Sequence, residues 1–179
     1  MLMRQKNLWI LIGIPGSGKS TWLKAHAKPK AKVVSRDAIR FEMLNDSDEY
    51  FAKEKEVYRR YINEIQDGLY DKTIDYVYAD ATHLNPASRH KLLKELDLTN
   101  VSVTFVCFDV SLKTALLRNA KREGRARVPD DVIRNMQNSL QFTTNEEAKQ
   151  YNVLTYVIDA KGEYRYATNV GYERFALWS

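Results

Sequence analysis

Apolar residues follow two alternating rhythms along the chain, one of strands and one of helices. Residues 8–12 are wholly apolar, as in a strand buried on both faces of a parallel sheet. They stop at a glycine-rich turn, and a helix is expected over 20–27. Val33 and Val34 make a second brief strand that ends at Ser35-Arg36-Asp37, with a short helix following over 38–44. Across 48–72, Phe51, Tyr58, Tyr61, Ile62, Ile65 and Leu69 recur at helical spacing while Lys, Arg and Glu fill the other faces. That spacing predicts one long amphipathic helix.

Residues 76–79 form a third strand with Asp80 at its carboxyl end. Pro86 suits the first position of a helix capped by Asn85 and running to about Leu96. Residues 101–108 form a fourth strand, and Ser111 caps a helix that gives way near Gly124. Asp130 or Asp131 opens another helix after Pro129. Segments 154–158 and 164–167 flank Lys161-Gly162-Glu163 and predict an edge hairpin. Strands alternating with helices imply an α/β fold, a parallel sheet with helices on both faces.

The 179 residues suffice for one such domain, with a core that needs no metal or disulfide staple. The single Cys107 lies in the fourth strand and is expected to be a buried core residue in a reducing, cytoplasmic setting. No stretch approaches the roughly 20 apolar residues of a membrane span. A net charge of +5 is compatible with a polyanionic substrate without requiring one.

The turn after the first strand carries the clearest chemistry. Gly13, Gly18, Lys19 and Ser20 fill the fixed positions of G-x-x-x-x-G-K-[ST], the Walker A pattern of a P-loop. Glycines let backbone N–H groups curl around a β-phosphate, and the helix N-terminus adds partial positive charge. Gly13, Pro15, Gly16, Ser17, Gly18, Lys19, Ser20 and Thr21 are thus candidate nucleotide-binding residues. Lys19 is expected to bridge the β- and γ-phosphates, with the Ser20 hydroxyl on Mg²⁺. ATP and Mg²⁺ are the implied cofactors.

Asp37 stands where open α/β sheets place their ligand crevice and could take the proton of an acceptor hydroxyl. Arg40, three residues on, shares its helix face and could hold an anionic acceptor; a helix cap with a local ion pair explains the two equally well. Asp80 ends the third strand and could contact the Mg²⁺ water shell or the attacking hydroxyl. Thr82 follows in the same turn, while His83 is read as an ordinary turn histidine and Asp109 as a capping residue. Arg118 and Arg122 share a helix face, and Arg125 and Arg127 follow in a Gly-containing loop. After a P-loop, such a cluster reads as an arginine lid more readily than as a solvated basic face.

These residues together resemble the kinase domain of the phage-type 5′-polynucleotide kinases, within a wider group of P-loop kinases. The similarity runs over 9–140 and rests on GIPGSGKSTW at 13–22, SRDAIR at 35–40, DATHLNPASR at 80–89, FDV at 108–110 and RNAKREGRARVPDDVIRNM at 118–136. It implies a P-loop NTPase-type sheet, with residues 1–142 as a kinase domain and a lid near 118–128; residues 143–179 fall outside the resemblance and are expected to form an extension packed on the same domain. It places the general base on Asp37, the acceptor-phosphate arginine on Arg40 and the lid arginines on Arg118 and Arg122. Asp80 and Thr82 fall on the acceptor side, and His83 takes no catalytic role.

Some relatives continue into a phosphatase domain that opens D-x-D-x-T. Here Asp159 is followed by Lys161 where a second acidic residue is required, and the length leaves no room for that domain. The expectation is therefore an ATP-dependent kinase of the 5′-hydroxyl end of DNA or RNA. The competing readings are a kinase of a small-molecule alcohol and a nucleotide-operated module without turnover.

Overall fold

The computed structural model describes residues 5–168. Its single sheet has the strand order β2-β3-β1-β4-β5-β6. These strands are β1 (Lys6–Ile12), β2 (Ala31–Ser35), β3 (Tyr76–Asp80), β4 (Val101–Phe108), β5 (Leu154–Ile158) and β6 (Tyr164–Thr168). All neighbours pair in parallel except β6, which returns antiparallel on β5. The helices are α1 (Lys19–His26), α2 (Arg36–Met43), α3 (Glu54–Tyr70), α4 (Pro86–Lys94), α5 (Leu112–Ala120), α6 (Asp130–Ser139) and α7 (Asn145–Tyr151). Among the described residues, no helix is long and apolar enough to cross a membrane.

The apolar run of β1 is explained by its central place between β3 and β4. Leu8, Ile10 and Ile12 enter a core with Val57, Tyr61 and Ile65 of α3 and Leu92 of α4. Trp9 and Leu11, on the other face, pack with Trp22 and Leu23 of α1. A strand sandwiched this way has no polar side to show. Cys107 is buried, and burial pushes its thiol up to about 11, leaving it inert.

The structure corrects the 48–72 helix. Residues 48–53 form turns, and α3 begins only at Glu54. Tyr50 and Phe51 instead lie 4.5 and 5.7 Å from the Arg40 guanidinium, so burying that cation overrides helical periodicity. The helix expected at Ala38 starts at Arg36 because Ser35 caps it, accepting from Ala38 N at 3.4 Å. The expected hairpin is present, but β5 also pairs with β4 and so extends the main sheet. The 169–179 part of the expected extension lies outside the described residues.

Helix α7 has no counterpart in the hydrophobic pattern. Thr144 and Glu147 form its capping box, and Glu147 also meets Arg89 of α4. Arg89 is wholly buried. Its Nε and Nη2 donate to Glu147 at 2.7 Å each, Nη1 donates to His83 O and Gln141 O, and Nη2 to Phe142 O. Every guanidinium N–H is thereby used, which is what a buried cation requires. Glu147→Leu strands the cation and is expected to cost about 3–5 kcal/mol of unfolding free energy in urea titrations. A loss under about 1 kcal/mol would mean that the pair contributes little.

Candidate phosphate-loop site

The loop 13–18 joins the end of β1 to α1 and is shaped by two left-handed glycines. Gly16 has φ +83°, and a Cβ there would lie 2.3 Å from Ala115 O of α5. Gly18 has φ +100° and caps α1 without any side-chain hydrogen bond to the first turn. The first-turn N–H groups are therefore left for an anion. The adjoining loop 81–85 is tied to this one: Gly13 N donates to Thr82 O at 3.1 Å. His83 Nδ1 donates to Leu11 O at 2.6 Å, and Nε2 accepts from Tyr61 Oη at 3.1 Å. Burial lowers the His83 pKa to about 3, so the ring is a neutral strut.

Lys19 bends back over its own loop, donating to Gly13 O at 2.7 Å and Ile14 O at 3.1 Å. Burial lowers its pKa to about 8, against the opposing fields of Asp80 and Asp37 and with a further push down from Arg122. Asp80 shows the reciprocal pattern: burial raises its pKa while Lys19 holds it down. Lys19, Asp80, Asp37 and Arg122 thus share one electrostatic field. The glycine cradle, the uncapped α1, the ammonium resting on carbonyls and the exposed Ser20 hydroxyl fit a Mg²⁺–triphosphate. Mg²⁺ in phosphate sites needs only one or two protein ligands, and no cluster of three His, Cys, Asp or Glu exists among the described residues.

Asp37 lies in the first turn of α2, two residues beyond the end of β2, with its carboxylate largely exposed. Its Oδ1 accepts from Arg40 Nη1 at 2.5 Å and from Tyr50 Oη at 2.8 Å. Arg40 is only 5% exposed in its side chain and also donates to Glu54 Oε2 at 2.7 Å. The local ion pair weighed against anion binding is therefore formed. Burial and the Asp37 charge push Tyr50 up to about 12, so it stays a hydroxyl donor.

Arg118 Nη1 lies 3.4 Å from both Gly16 O and Ser17 O, while its Nη2 donates to Ala160 O in the β5–β6 turn. Arg122 Nη1 contacts Ala126 O at 3.4 Å. Buried Asn119 bonds Val128 N and O, folding the 121–128 loop back onto α5. Beside the P-loop opens a cavity of about 450 Å³ walled by Thr21, Trp22, Phe108, Arg118, Arg122 and the 159–162 turn.

Several members of this site were not legible beforehand. Tyr50 and Glu54 were hidden in the overlong helix. Arg125, noted only as part of the basic cluster, donates to Asn45 O at 2.6 Å and pairs with Asp46 at 3.3 Å, joining the 121–128 loop to the α2–α3 turn.

The depressed Lys19 pKa has a stability consequence. In the unfolded chain the ammonium keeps its proton to about 10.5, whereas the folded site releases it near 8. Between those values the unfolded state binds more protons, so stability rises with pH. Wild-type stability relative to Lys19→Met is expected to increase from pH 7 to pH 10 in denaturant titrations at each pH. A pH-independent difference would mean that Lys19 keeps its ordinary pKa.

A family profile described as AAA domain matches residues 8–143. Among solved structures, a chain of the Pnkp1/Rnl/Hen1 RNA repair complex aligns at 22% identity and TM-score 0.65, covering 83% of this chain and 47% of that one. This chain thus spans about half of that relative's length. A gluconokinase from Sinorhizobium meliloti 1021 aligns at 18% identity and TM-score 0.55, covering 88% of this chain and 85% of that one. A fungal RNA kinase aligns at 12% identity and TM-score 0.57, covering 89% and 76% respectively. At these identities the likeness is one of fold, and that fold is one that P-loop kinases use. With three-quarters of its length matched, phosphate loop included, the chain belongs to the AAA domain family of P-loop proteins.

Proposed function

We propose that this protein transfers the γ-phosphoryl group of ATP to the 5′-hydroxyl end of DNA or RNA. The observation that carries the proposal is the carboxylate of Asp37, exposed and oriented, in the same field as the Lys19 ammonium. Arg40 and Tyr50 both donate to Oδ1, and among the described residues none donates to Oδ2. A nucleotide switch has no use for such a base.

In this reading Asp37 accepts the proton of the 5′-hydroxyl. The hydroxyl oxygen forms its bond to the γ-phosphorus as the bond to the β–γ bridging oxygen breaks, and ADP leaves. Lys19 exchanges its loop carbonyls for phosphate oxygens, and Arg118 and Arg122 neutralise charge on the group in transfer. The Ser20 hydroxyl would ligate Mg²⁺, whose chemistry there is charge neutralisation on the β- and γ-oxygens, and Asp80 would reach its water shell. Arg40 would take the phosphate of the adjoining nucleotide, and Thr82 would line the acceptor side. The RNA repair complex and the fungal RNA kinase give this reading fold-level support.

The second reading, a kinase of a small-molecule alcohol, is favoured by one specific observation. Arg40 is already engaged by Asp37, Tyr50 and Glu54, and a neutral acceptor would leave those contacts in place. The gluconokinase, matched over most of both chains, supports the same reading.

Asp37→Ala is expected to lower kcat by about 10²–10⁴-fold with little change in the KM for ATP. Retention of more than about a tenth of the rate would contradict the base assignment. Arg40→Ala is expected to raise KM for a 3′-phosphorylated nucleotide more than for the unphosphorylated nucleoside, with partial rescue by Arg40→Lys. Equal losses on both acceptors would make Arg40 a positioning partner of Asp37 and put the small-alcohol kinase ahead.

A further inference from the structure

A second cavity, of about 430 Å³, lies between α2, α3 and the first turns of α4, away from the P-loop cavity. Its walls carry three cations, Arg36, Lys55 and Lys91, against one carboxylate, Glu54. The buried histidine on its floor adds no charge, since its pKa is lowered to about 3. Tyr58 stands among these groups, with the Arg36 guanidinium 5.2 Å and the Lys91 ammonium 4.4 Å from its ring centroid. Its hydroxyl lies 3.5 Å from Glu95, which helps to fix the ring.

The cavity adjoins the proposed acceptor side of the site through residues that the two share or neighbour. Arg36 directly precedes Asp37, and Glu54 accepts from Arg36 and from Arg40, so one carboxylate joins the two regions. Thr82 lines the cavity and its carbonyl oxygen holds Gly13 N. The cavity's Arg36 wall thus stands one residue from Asp37, the carboxylate proposed to receive the 5′-hydroxyl.

We propose that this cavity is a second acceptor subsite, taking the base and phosphate of a nucleotide downstream of the one being phosphorylated. The inference rests on the polynucleotide reading above and deepens it. A cationic track beside an aromatic platform is the arrangement that holds single-stranded nucleic acid: phosphates meet the cations and a base stacks on the ring. A neutral alcohol of sugar size uses neither. Stacking a base on tyrosine is worth more than an exposed cation–π contact, so an incoming base displaces the Lys91 ammonium from the ring. Lys91 is exposed, and its freed ammonium then pairs with the adjoining phosphate.

The test measures KM for a 5′-hydroxyl hexamer, as DNA and as RNA, and for a nucleoside 3′-monophosphate, on the full chain. In Tyr58→Leu and in Lys91→Ala, the ratio of hexamer KM to mononucleotide KM is expected to rise about tenfold above the wild-type ratio. Lys91→Ala should also flatten the dependence of log KM on log salt for the hexamer by about 0.7, as one single-strand phosphate contact disappears. Lys91 is exposed, so its variant folds even if Tyr58→Leu does not. An unchanged ratio in Lys91→Ala and in any folded Tyr58→Leu, while the wild type phosphorylates both acceptors, overturns the subsite alone. A wild-type protein that phosphorylates neither acceptor overturns the polynucleotide reading and the subsite with it.

Discussion

The guanidinium of Arg89 is the fixed point on which the site's geometry depends. A cation wholly removed from water is tolerated only if every donor finds an acceptor, and here all five N–H groups do. Those acceptors come from three separate stretches of chain: His83 in the loop after β3, Gln141 and Phe142 after α6, and Glu147 in α7. One side chain therefore holds the 81–85 loop against the segment that leads into β5. That loop in turn holds the P-loop, through Thr82 O on Gly13 N and the neutral His83 ring on Leu11 O.

With the loops fixed, the electrostatics follow. A phosphate loop built of backbone N–H groups needs no side-chain bulk, and Gly16 sits so close to α5 that none would fit. The one cation inside it, Lys19, is held partly deprotonatable by burial and kept useful by Asp80 and Asp37. In the proposed function, a triphosphate arriving there would replace two carbonyl contacts with phosphate oxygens and restore the ammonium's charge preference. The same field reaches Asp37, whose Oδ1 is pinned by Arg40 and Tyr50. The proposed donor and acceptor halves would thus be coupled through charge as well as through the sheet's carboxyl edge.

How much of this was legible in the sequence depends on how local each signal is. The P-loop, the buried β1 run and the Asn85 cap of α4 are written within a few residues, and each is found where expected. The 48–72 helix failed at its first turn because Tyr50 and Phe51 obey a tertiary demand, the covering of Arg40. Helix α7 has too little apolar periodicity to be seen, although Thr144-x-x-Glu147 is a capping-box signature that marks it. Arg89 could be quoted inside a motif but not understood there, since its carboxylate partner lies 58 residues away. The burial of Arg40 was illegible for the same reason, because Tyr50 and Glu54 close around it only in the fold.

The central claim is that Asp37, Lys19 and the arginines serve transfer to a polynucleotide 5′ end. Its most direct test is to offer γ-labelled ATP and Mg²⁺ with an equimolar mixture of 5′-hydroxyl DNA and RNA oligomers, free nucleosides and gluconate. The account expects label at the 5′ terminus of the oligomers, lost when Mg²⁺ is chelated. Label on gluconate or on free nucleosides, with the oligomers unlabelled, would contradict it.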